Sequence, residues 1–233
     1  GVPAPQVPRD RPLRRSVTAA AIMVAMALTG AAVWWQSRTA HSSAKVHEPD
    51  PQAQHLYIRG RYLMDRQTEQ GIRAGIAAFE EAVARDPRFA AAYTGISDGY
   101  NQLSQFGFIA PSEGMQKARR AAEQALDLDP NLAEGHVSLA AVLEAYDWNW
   151  KGAEAEFQTS LRLNPNDATQ RHRYSRYLAS VGRMEDALRE LERARLLDPL
   201  DPLIRANVGV IHYFARQYDR AIELNKKLAE AYM

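Results

Sequence analysis

Residues 133–199 read AEGHVSLAAVLEAYDWNWKGAEAEFQTSLRLNPNDATQRHRYSRYLASVGRMEDALRELERARLLDP. A small residue, a large apolar residue and a second small residue lie twelve, eight and five positions before Pro165, and the same pattern precedes Pro199. The residues are Ala153, Phe157 and Ser160 in the first copy and Ala187, Leu191 and Ala194 in the second. A register that recurs after about 34 residues is typical of a helix–turn–helix repeat, of which this is the second half.

The same register extends in both directions from this stretch. Asp-Pro or Asn-Pro dipeptides end at positions 87, 130, 165 and 199, and a proline there ends one helix and turns the chain into the next. The sequence therefore predicts an all-α solenoid of about five helix–turn–helix repeats, over about residues 52–87, 88–130, 131–165, 166–199 and 200–233. The second repeat is longer than the others, and we expect its extra residues in the loop around 105–112.

Several helix starts are also predicted. Asp50–Pro51 and Asp201–Pro202 each place a capping carboxylate before a first-turn proline. Asn131 with Glu134 fits a capping box.

The first fifty residues have a different composition. Residues 1–15 are rich in proline and arginine and predict an extended linker. Residues 16–37 contain no charged residue, are long enough to cross a bilayer, and include two adjacent tryptophans near their end. We predict a transmembrane helix there, followed by a polar tether over 38–51. A cleavable signal peptide and a buried helix of a soluble domain are the two alternatives.

The basic residues predict the orientation of this span. Four arginines precede it, whereas only Arg38 and Lys45 follow it closely. Because basic residues favour the cytoplasmic side, the N-terminus should be cytoplasmic and the repeats extracytoplasmic. Small residues four apart, at Ala21/Ala25 and Ala27/Ala31, would let two spans pack as a homodimer. The chain starts with glycine and ends within a helical pattern, so we expect it to be part of a longer protein.

Composition and motifs exclude several kinds of chemistry. The net charge is +1 and there is no cysteine, which excludes disulfides, thiolate metal sites and a cysteine nucleophile. The six histidines lack paired metal-ligand spacing, and no glycine-rich phosphate loop is present. Helical spacing divides the basic cluster at 171–177 between the core and the surface, which argues against nucleic-acid binding. We therefore predict no enzymatic activity, cofactor, metal or nucleic-acid partner.

With its proline-anchored repeats, the chain resembles the tetratricopeptide repeat superfamily over about residues 52–233. Three stretches are similar to the C-terminal repeats of bacterial membrane-anchored regulators: LYIRGRYLMDRQTEQGIRAGIAAFEEAVARDP at 56–87, YDWNWKGAEAEFQTSLRLNP at 146–165 and ARQYDRAIE at 215–223. In that group a cytoplasmic winged-helix DNA-binding domain precedes a Pro-rich linker, one membrane helix and the repeats. Similar repeats also follow serine/threonine kinase and adenylyl cyclase domains.

This resemblance implies a binding surface. In the superfamily, positions 2, 5, 9, 12 and 13 of each first helix line a concave groove that binds a protein or peptide. The corresponding polar and aromatic residues here are Asp98, Asn101, Gln102, Glu144, His172, Arg176 and Tyr213. The alternative is that they are solvated surface residues without a ligand.

The function that follows is the interaction or sensor half of a membrane-bound transcriptional regulator. It would lie in a bacterial inner membrane, with its repeats outside the cytoplasm. An accessory region of a membrane-bound kinase or cyclase and a stand-alone scaffold for envelope assembly are the alternatives.

Overall fold

A computed structural model describes residues 47–232 of the chain. Within that range the helix-forming runs and proline-containing turns form ten α-helices and no strand. The helices are α1 (Pro51–Met64), α2 (Glu69–Arg85), α3 (Ala90–Gln105), α4 (Pro111–Leu128), α5 (Ala133–Ala145), α6 (Trp150–Leu163), α7 (Ala168–Ser180), α8 (Met184–Leu197), α9 (Pro202–Phe214) and α10 (Tyr218–Tyr232). The prediction of an all-α chain is confirmed for this part of the sequence.

Consecutive helices pair, and the pairs stack. α1 packs on α2, α3 on α4, α5 on α6, α7 on α8 and α9 on α10. The first helices of neighbouring pairs also contact each other, whereas their second helices do not. The first helices α1, α3, α5, α7 and α9 therefore line the inner face of the solenoid, and the second helices form its outer face.

Small residues allow the helices to approach each other closely. The ring of Phe79 on α2 lies between Gly60 on α1 and Gly95 on α3. A methyl group would come within 2.5 Å of that ring at Gly60 and within 2.7 Å at Gly95. In the last pair, Gly209 faces Asn225 at the corresponding place. The predicted alternation of small and large residues therefore sets the helix separation.

The apolar core is divided along the array. One cluster of buried side chains spans the last three pairs, from Val137 to Ile211. Three smaller clusters lie in the first two pairs, around Phe89, Phe79 and Ile72. Each pair thus buries its apolar face mainly against its neighbours, as expected of a stacked array.

Two of the predicted helix starts are confirmed. The Asp50 side chain accepts hydrogen bonds from two backbone N–H groups at the start of α1, and Asp201 does the same for α9. The capping box at Asn131 is wrong, because Leu132 precedes α5 and makes no side-chain cap.

The prediction that the extra residues of the second repeat form a loop is also wrong. The turn between α3 and α4 covers only residues 106–110. The helices themselves are longer, since α3 has 16 residues and α4 has 18, against 13 and 14 for α5 and α6. A longer helix satisfies its own backbone hydrogen bonds, which a longer exposed loop would leave to water.

The turns inside the five pairs share a conformation. Each contains one residue with positive φ. These residues are Gln67 (φ 50°), Gly107 (74°), Trp148 (55°), Gly182 (81°) and Arg216 (61°). They lie two or three residues after the end of the first helix, where a left-handed residue helps to reverse the chain, and glycine takes that conformation without strain.

Within residues 47–232 no helix combines the length and apolar character that a membrane crossing requires. The predicted linker at 1–15, the span at 16–37 and most of the tether at 38–51 lie outside the described residues.

Candidate functional site

A polar network on the inner face connects three first helices. The carboxylate of Asp98 on α3 accepts hydrogen bonds from both terminal nitrogens of Arg173 on α7, at 3.0 and 2.6 Å. It also accepts one from the hydroxyl of Ser138 on α5, at 3.0 Å. Asp98 is 9% exposed and the Arg173 side chain 30%, so the carboxylate of this bidentate pair is largely withdrawn from water and the guanidinium only in part.

The charges around Asp98 keep it ionised. Burial opposes the ionisation of this carboxyl, but Arg173, Arg61 and the Ser138 hydroxyl outweigh it and hold its pKa below the usual value. Asp98 in turn raises the pKa of the Arg173 guanidinium. Arg61 projects from α1, so four consecutive first helices contribute a group to this part of the inner face.

A second polar group lies near the carboxyl end of α5. The hydroxyl of Ser180 donates a hydrogen bond of 2.9 Å to Glu144. Burial raises the pKa of Glu144, and the Ser180 bond and Arg176 oppose that change. Arg176 itself is exposed and makes no hydrogen bond or ion pair with any residue of the described range.

His172 on α7 is buried and neutral. Its side chain is 8% exposed, and its Nε2 atom has no hydrogen-bond partner within the described residues. Burial, together with Arg176 and Arg173, lowers its pKa from 6.5 to about 4, whereas Asp201 and Asn207 act in the opposite direction. Protonation of this imidazole is therefore costly in the folded state.

We expect His172 to make the array less stable in mild acid. Because its pKa is lower in the folded than in the unfolded state, its contribution to stability is complete above pH 6.5 and is lost as the pH falls towards about 4. A decrease of roughly 2 kcal/mol over this interval is expected, and His172→Gln should remove it. Urea unfolding at pH 7.5, 6 and 5 measures the effect. Identical pH profiles for the two proteins would contradict the assignment.

The remaining predicted groove residues have different environments. Asn101 is buried and accepts a 2.5 Å hydrogen bond from Gln105. Gln102 is half-buried, and its side-chain carbonyl oxygen has no partner among the residues described. Tyr213 lies at the end of α9, where its exposed ring contacts those of Phe214 and Tyr218. It therefore lies at one edge of the inner face.

Sequence reasoning placed most of these residues on the inner helices but missed their partners. Arg173 and Ser138 are each the sixth residue of a first helix, next to the positions taken from the superfamily pattern. A pair separated by 75 residues and two repeats leaves no periodic signal, because it depends on the curvature of the stack. The basic cluster at 171–177, which contains Arg173, was the only sequence feature that pointed to this ion pair. Tyr174 in the same cluster is buried, as predicted.

A pocket of about 480 Å³ lies elsewhere, among α8, α9 and α10. Several of its cations are paired within the protein, Arg195 with Glu192 and both Arg220 and Lys227 with Glu223. Within the described residues no cluster of His, Asp and Glu side chains could hold a metal ion. The inner face, with its unmatched donors and acceptors, is therefore the better candidate for a binding site.

Two curated proteins are similar to this chain in sequence. No protein-family model matches the sequence. The transcriptional regulator HilA of Salmonella typhimurium is 24% identical over 182 residues, which cover 76% of this chain and 32% of HilA. Superkiller protein 3 of Schizosaccharomyces pombe is 22% identical over 210 residues, 73% of this chain and 14% of that protein. The chain thus spans about a third of HilA and a smaller part of the yeast protein.

The solved structure of TTC0263, a thermophilic TPR protein of Thermus thermophilus, superposes with a TM-score of 0.58 and 19% identity. The match covers 83% of this chain and 95% of TTC0263. The repeats of this chain therefore have the tetratricopeptide (TPR) fold, and their resemblance to that superfamily is confirmed.

Proposed function

We propose that this chain is the non-catalytic, peptide-binding region of a membrane-bound transcriptional regulator. The repeats bind a segment of a partner protein on the inner face of the solenoid. The span at 16–37 holds them at the extracytoplasmic side of a bacterial inner membrane, and the N-terminus lies in the cytoplasm.

One observation carries the binding function: polar groups without partners recur along the inner face. The Gln102 carbonyl oxygen, the His172 Nε2 atom and the Arg176 guanidinium come from two first helices and make no hydrogen bond within the described residues. Buried polar atoms are nearly always hydrogen-bonded in folded proteins, so the Gln102 and His172 atoms call for a partner. Arg176 is exposed, so its guanidinium is accessible to a ligand.

A peptide has the chemistry that these groups require. Gln102 needs a donor and Arg176 needs an acceptor, and a peptide backbone presents N–H and C=O groups along its length. Neutral His172 serves as donor or acceptor according to its tautomer. An acidic side chain on the ligand would also form a charge-assisted hydrogen bond with Arg176.

Reversing the charge of Arg176 tests this site. Peptides selected from a displayed random library against the wild-type chain provide the ligand. We expect Arg176→Glu to weaken their binding about tenfold, since a charge-assisted hydrogen bond is lost and repulsion replaces it. Isothermal titration calorimetry measures the dissociation constants.

Arg120→Glu is the matched control. Arg120 is also exposed and also makes no ion pair within the described range, but it lies on α4, a second helix on the outer face. Binding should change less than twofold in this variant, and the melting temperature should be preserved in both. Equal losses of affinity in the two variants would reject the inner face as the binding site.

The regulatory role is supported by the similarity to HilA, a transcriptional regulator by name, and by the charge-free run at 16–37. A regulator of this kind would sense a ligand outside the cytoplasm and control transcription from the cytoplasmic side. Its DNA-binding domain would precede the Pro-rich linker at 1–15.

Reporter fusions test the orientation. An alkaline phosphatase fused after Pro51 should be active, because that enzyme requires an oxidising compartment for its disulfides. The same fusion in a variant without residues 16–37 should be inactive. Activity of a cytoplasmic reporter alone at this site would refute the proposed orientation.

A further inference from the structure

The exposed aromatic side chains of the described residues lie at one edge of the solenoid. Within residues 47–230, every large aromatic side chain that is exposed lies near the carboxyl end of a first helix, in the turn that follows or at the start of the second helix. We call this set the aromatic edge: Tyr62, Phe106, Phe108, Trp148, Trp150, Tyr213, Phe214 and Tyr218, which are 36–71% exposed. It takes in four of the five repeats.

These turns lie side by side because the first helices run in the same direction. Ser180, the last residue of α7, bonds to Glu144 near the end of α5. Tyr177, near the end of α7, donates a 2.7 Å hydrogen bond to the backbone carbonyl of Trp150 at the start of α6. The ends of neighbouring first helices therefore lie at the same edge of the stack.

The opposite edge has a different character. There the turns between repeats carry carboxylates and no exposed large aromatic side chain within the described residues. The carboxylates are Asp86, Asp129, Asp167, Asp198 and Asp201. The same edge also carries five exposed leucines, so the two edges differ in aromatic side chains and not in apolar exposure as such; the leucines are Leu163, Leu196, Leu197, Leu200 and Leu203.

Packing of the repeats accounts for only part of the aromatic edge: Trp150 contacts Tyr177 of the next repeat, at 6.5 Å between ring centroids. Trp148 is 71% exposed, and its indole contacts the ring of Trp150 at 5.7 Å between centroids. Its φ of 55° is left-handed, a conformation that costs a side chain about 1–2 kcal/mol and that glycine occupies at Gly107 and Gly182 in two equivalent turns. Gln67 and Arg216 have the same conformation in two other turns, so the turn itself does not require a tryptophan.

We propose that the aromatic edge lies in the interface of a lipid bilayer and that the opposite edge of the solenoid faces away from the membrane. Tryptophan and tyrosine rings favour the headgroup region, where one end is apolar and the other is hydrated. This inference rests on the proposed function, which places the repeats at a membrane. It adds the surface through which the repeats contact that membrane.

Part of this edge carries no charge. Residues 102–112, which include Phe106 and Phe108, contain no charged side chain. Elsewhere at this edge Asp147 pairs with Arg119, and paired charges lose less on leaving water than isolated ones. Asp65, Lys151 and Glu185 are exposed there and make no ion pair within the described residues, so they would stay in the hydrated headgroup region.

The distribution of the rings favours a bilayer over a protein partner. Protein hot spots cluster in a well-packed pocket near the centre of an interface. Here the rings lie at the turns of the first, second, third and fifth repeats, and such a spread suits a flat and extended apolar surface.

A single fluorescent label tests the contact, since the chain has no cysteine of its own. Ser112→Cys places an environment-sensitive dye on the aromatic edge, and Asn166→Cys places it on the opposite edge, with both positions exposed. The full chain is reconstituted into vesicles of phosphatidylcholine and phosphatidylglycerol that contain lipids spin-labelled near the headgroup. The dye at position 112 should shift to the blue and be quenched several-fold more than the dye at 166. Equal quenching at the two positions overturns the inference.

A second variant separates membrane contact from misfolding. Trp148→Gly with Phe106→Ser removes two exposed rings, and glycine is the residue best suited to the left-handed φ at 148. Quenching at position 112 should fall while the circular dichroism spectrum and melting temperature remain. Unchanged quenching would show that these rings do not contact lipid, and would also overturn the inference.

Flotation of the same vesicles distinguishes failure of the anchor from failure of the edge. A chain that floats but shows no difference between the labels retains the span and refutes the edge. A chain that does not float refutes the membrane span at 16–37. In that case vesicles are added to the labelled chain, and the difference in quenching between positions 112 and 166 tests the aromatic edge independently.

Discussion

Asp98→Ala should lower the free energy of unfolding by about 3 kcal/mol, because it leaves the Arg173 guanidinium without its counter-ion on the inner face. The hydroxyl of Ser138 loses its acceptor as well. Chemical unfolding followed by circular dichroism at pH 7 measures the change. A loss of this size from a polar residue would exceed that of most surface substitutions.

Two further variants make this prediction specific. Asp98→Ala with Arg173→Met removes both charges and should recover part of the loss, since no unpaired cation is then left behind. Glu185→Ala, at an exposed carboxylate of α8 with no ion pair in the described range, should change stability by less than about 0.5 kcal/mol. A double variant as unstable as the sum of both single ones would show that Asp98 and Arg173 are not coupled.

The same pair should affect the shape of the solenoid. It connects α3 to α7 across α5, whereas the apolar clusters join mainly neighbouring pairs of helices. Without it, the angle between the second and fourth repeats is constrained only by stacking. An inner face with altered curvature would also separate Gln102 from His172, which come from those two repeats.

Phe79→Ala should cost about 4 kcal/mol. The ring is fully buried, contacts Tyr57 at 5.6 Å between centroids, and fills the space between the first and second repeats. Its removal leaves a cavity that Gly60 and Gly95 cannot fill, because they have no side chains to move into it. Thermal and urea unfolding of the variant measure the loss.

Phe106→Ala is the matched control, since that ring is half exposed in a turn. It should cost less than about 1 kcal/mol. Gly95→Val, which adds bulk where a methyl already comes within 2.7 Å of the Phe79 ring, should be destabilising as well. A stable Gly95→Val variant would mean that the helices do not meet as closely as this arrangement requires.

The fold could largely be predicted from local sequence. The small and large residues before Pro165 and Pro199, such as Ala153, Phe157 and Ala187, are buried as their spacing requires. The two wrong predictions, the longer loop of the second repeat and the capping box at Asn131, each concern a choice between two local structures of similar free energy. Extra residues can lengthen a loop or a pair of helices, and a helix can begin one residue later than a capping box indicates.

The site could be predicted only in part. Helical periodicity placed Asp98, His172 and Arg176 on first helices, but it did not distinguish a buried pair from an exposed charge. Arg176 is exposed and without a partner in the described range, whereas Asp98, on the same face, is bonded to Arg173. The membrane span, the orientation and the ligand stay predictions, to be decided by the experiments above.

The order of the helices, the register of the repeats and the core positions within each pair follow from the sequence, because contacts between residues a few turns apart impose a period on it. The Asp98–Arg173 bridge, the unmatched atoms of Gln102 and His172, and the gathering of aromatic rings at one edge follow only from the stacked structure. They depend on the angle between successive repeats, which results from many small packing contacts along the solenoid and leaves no period in the sequence.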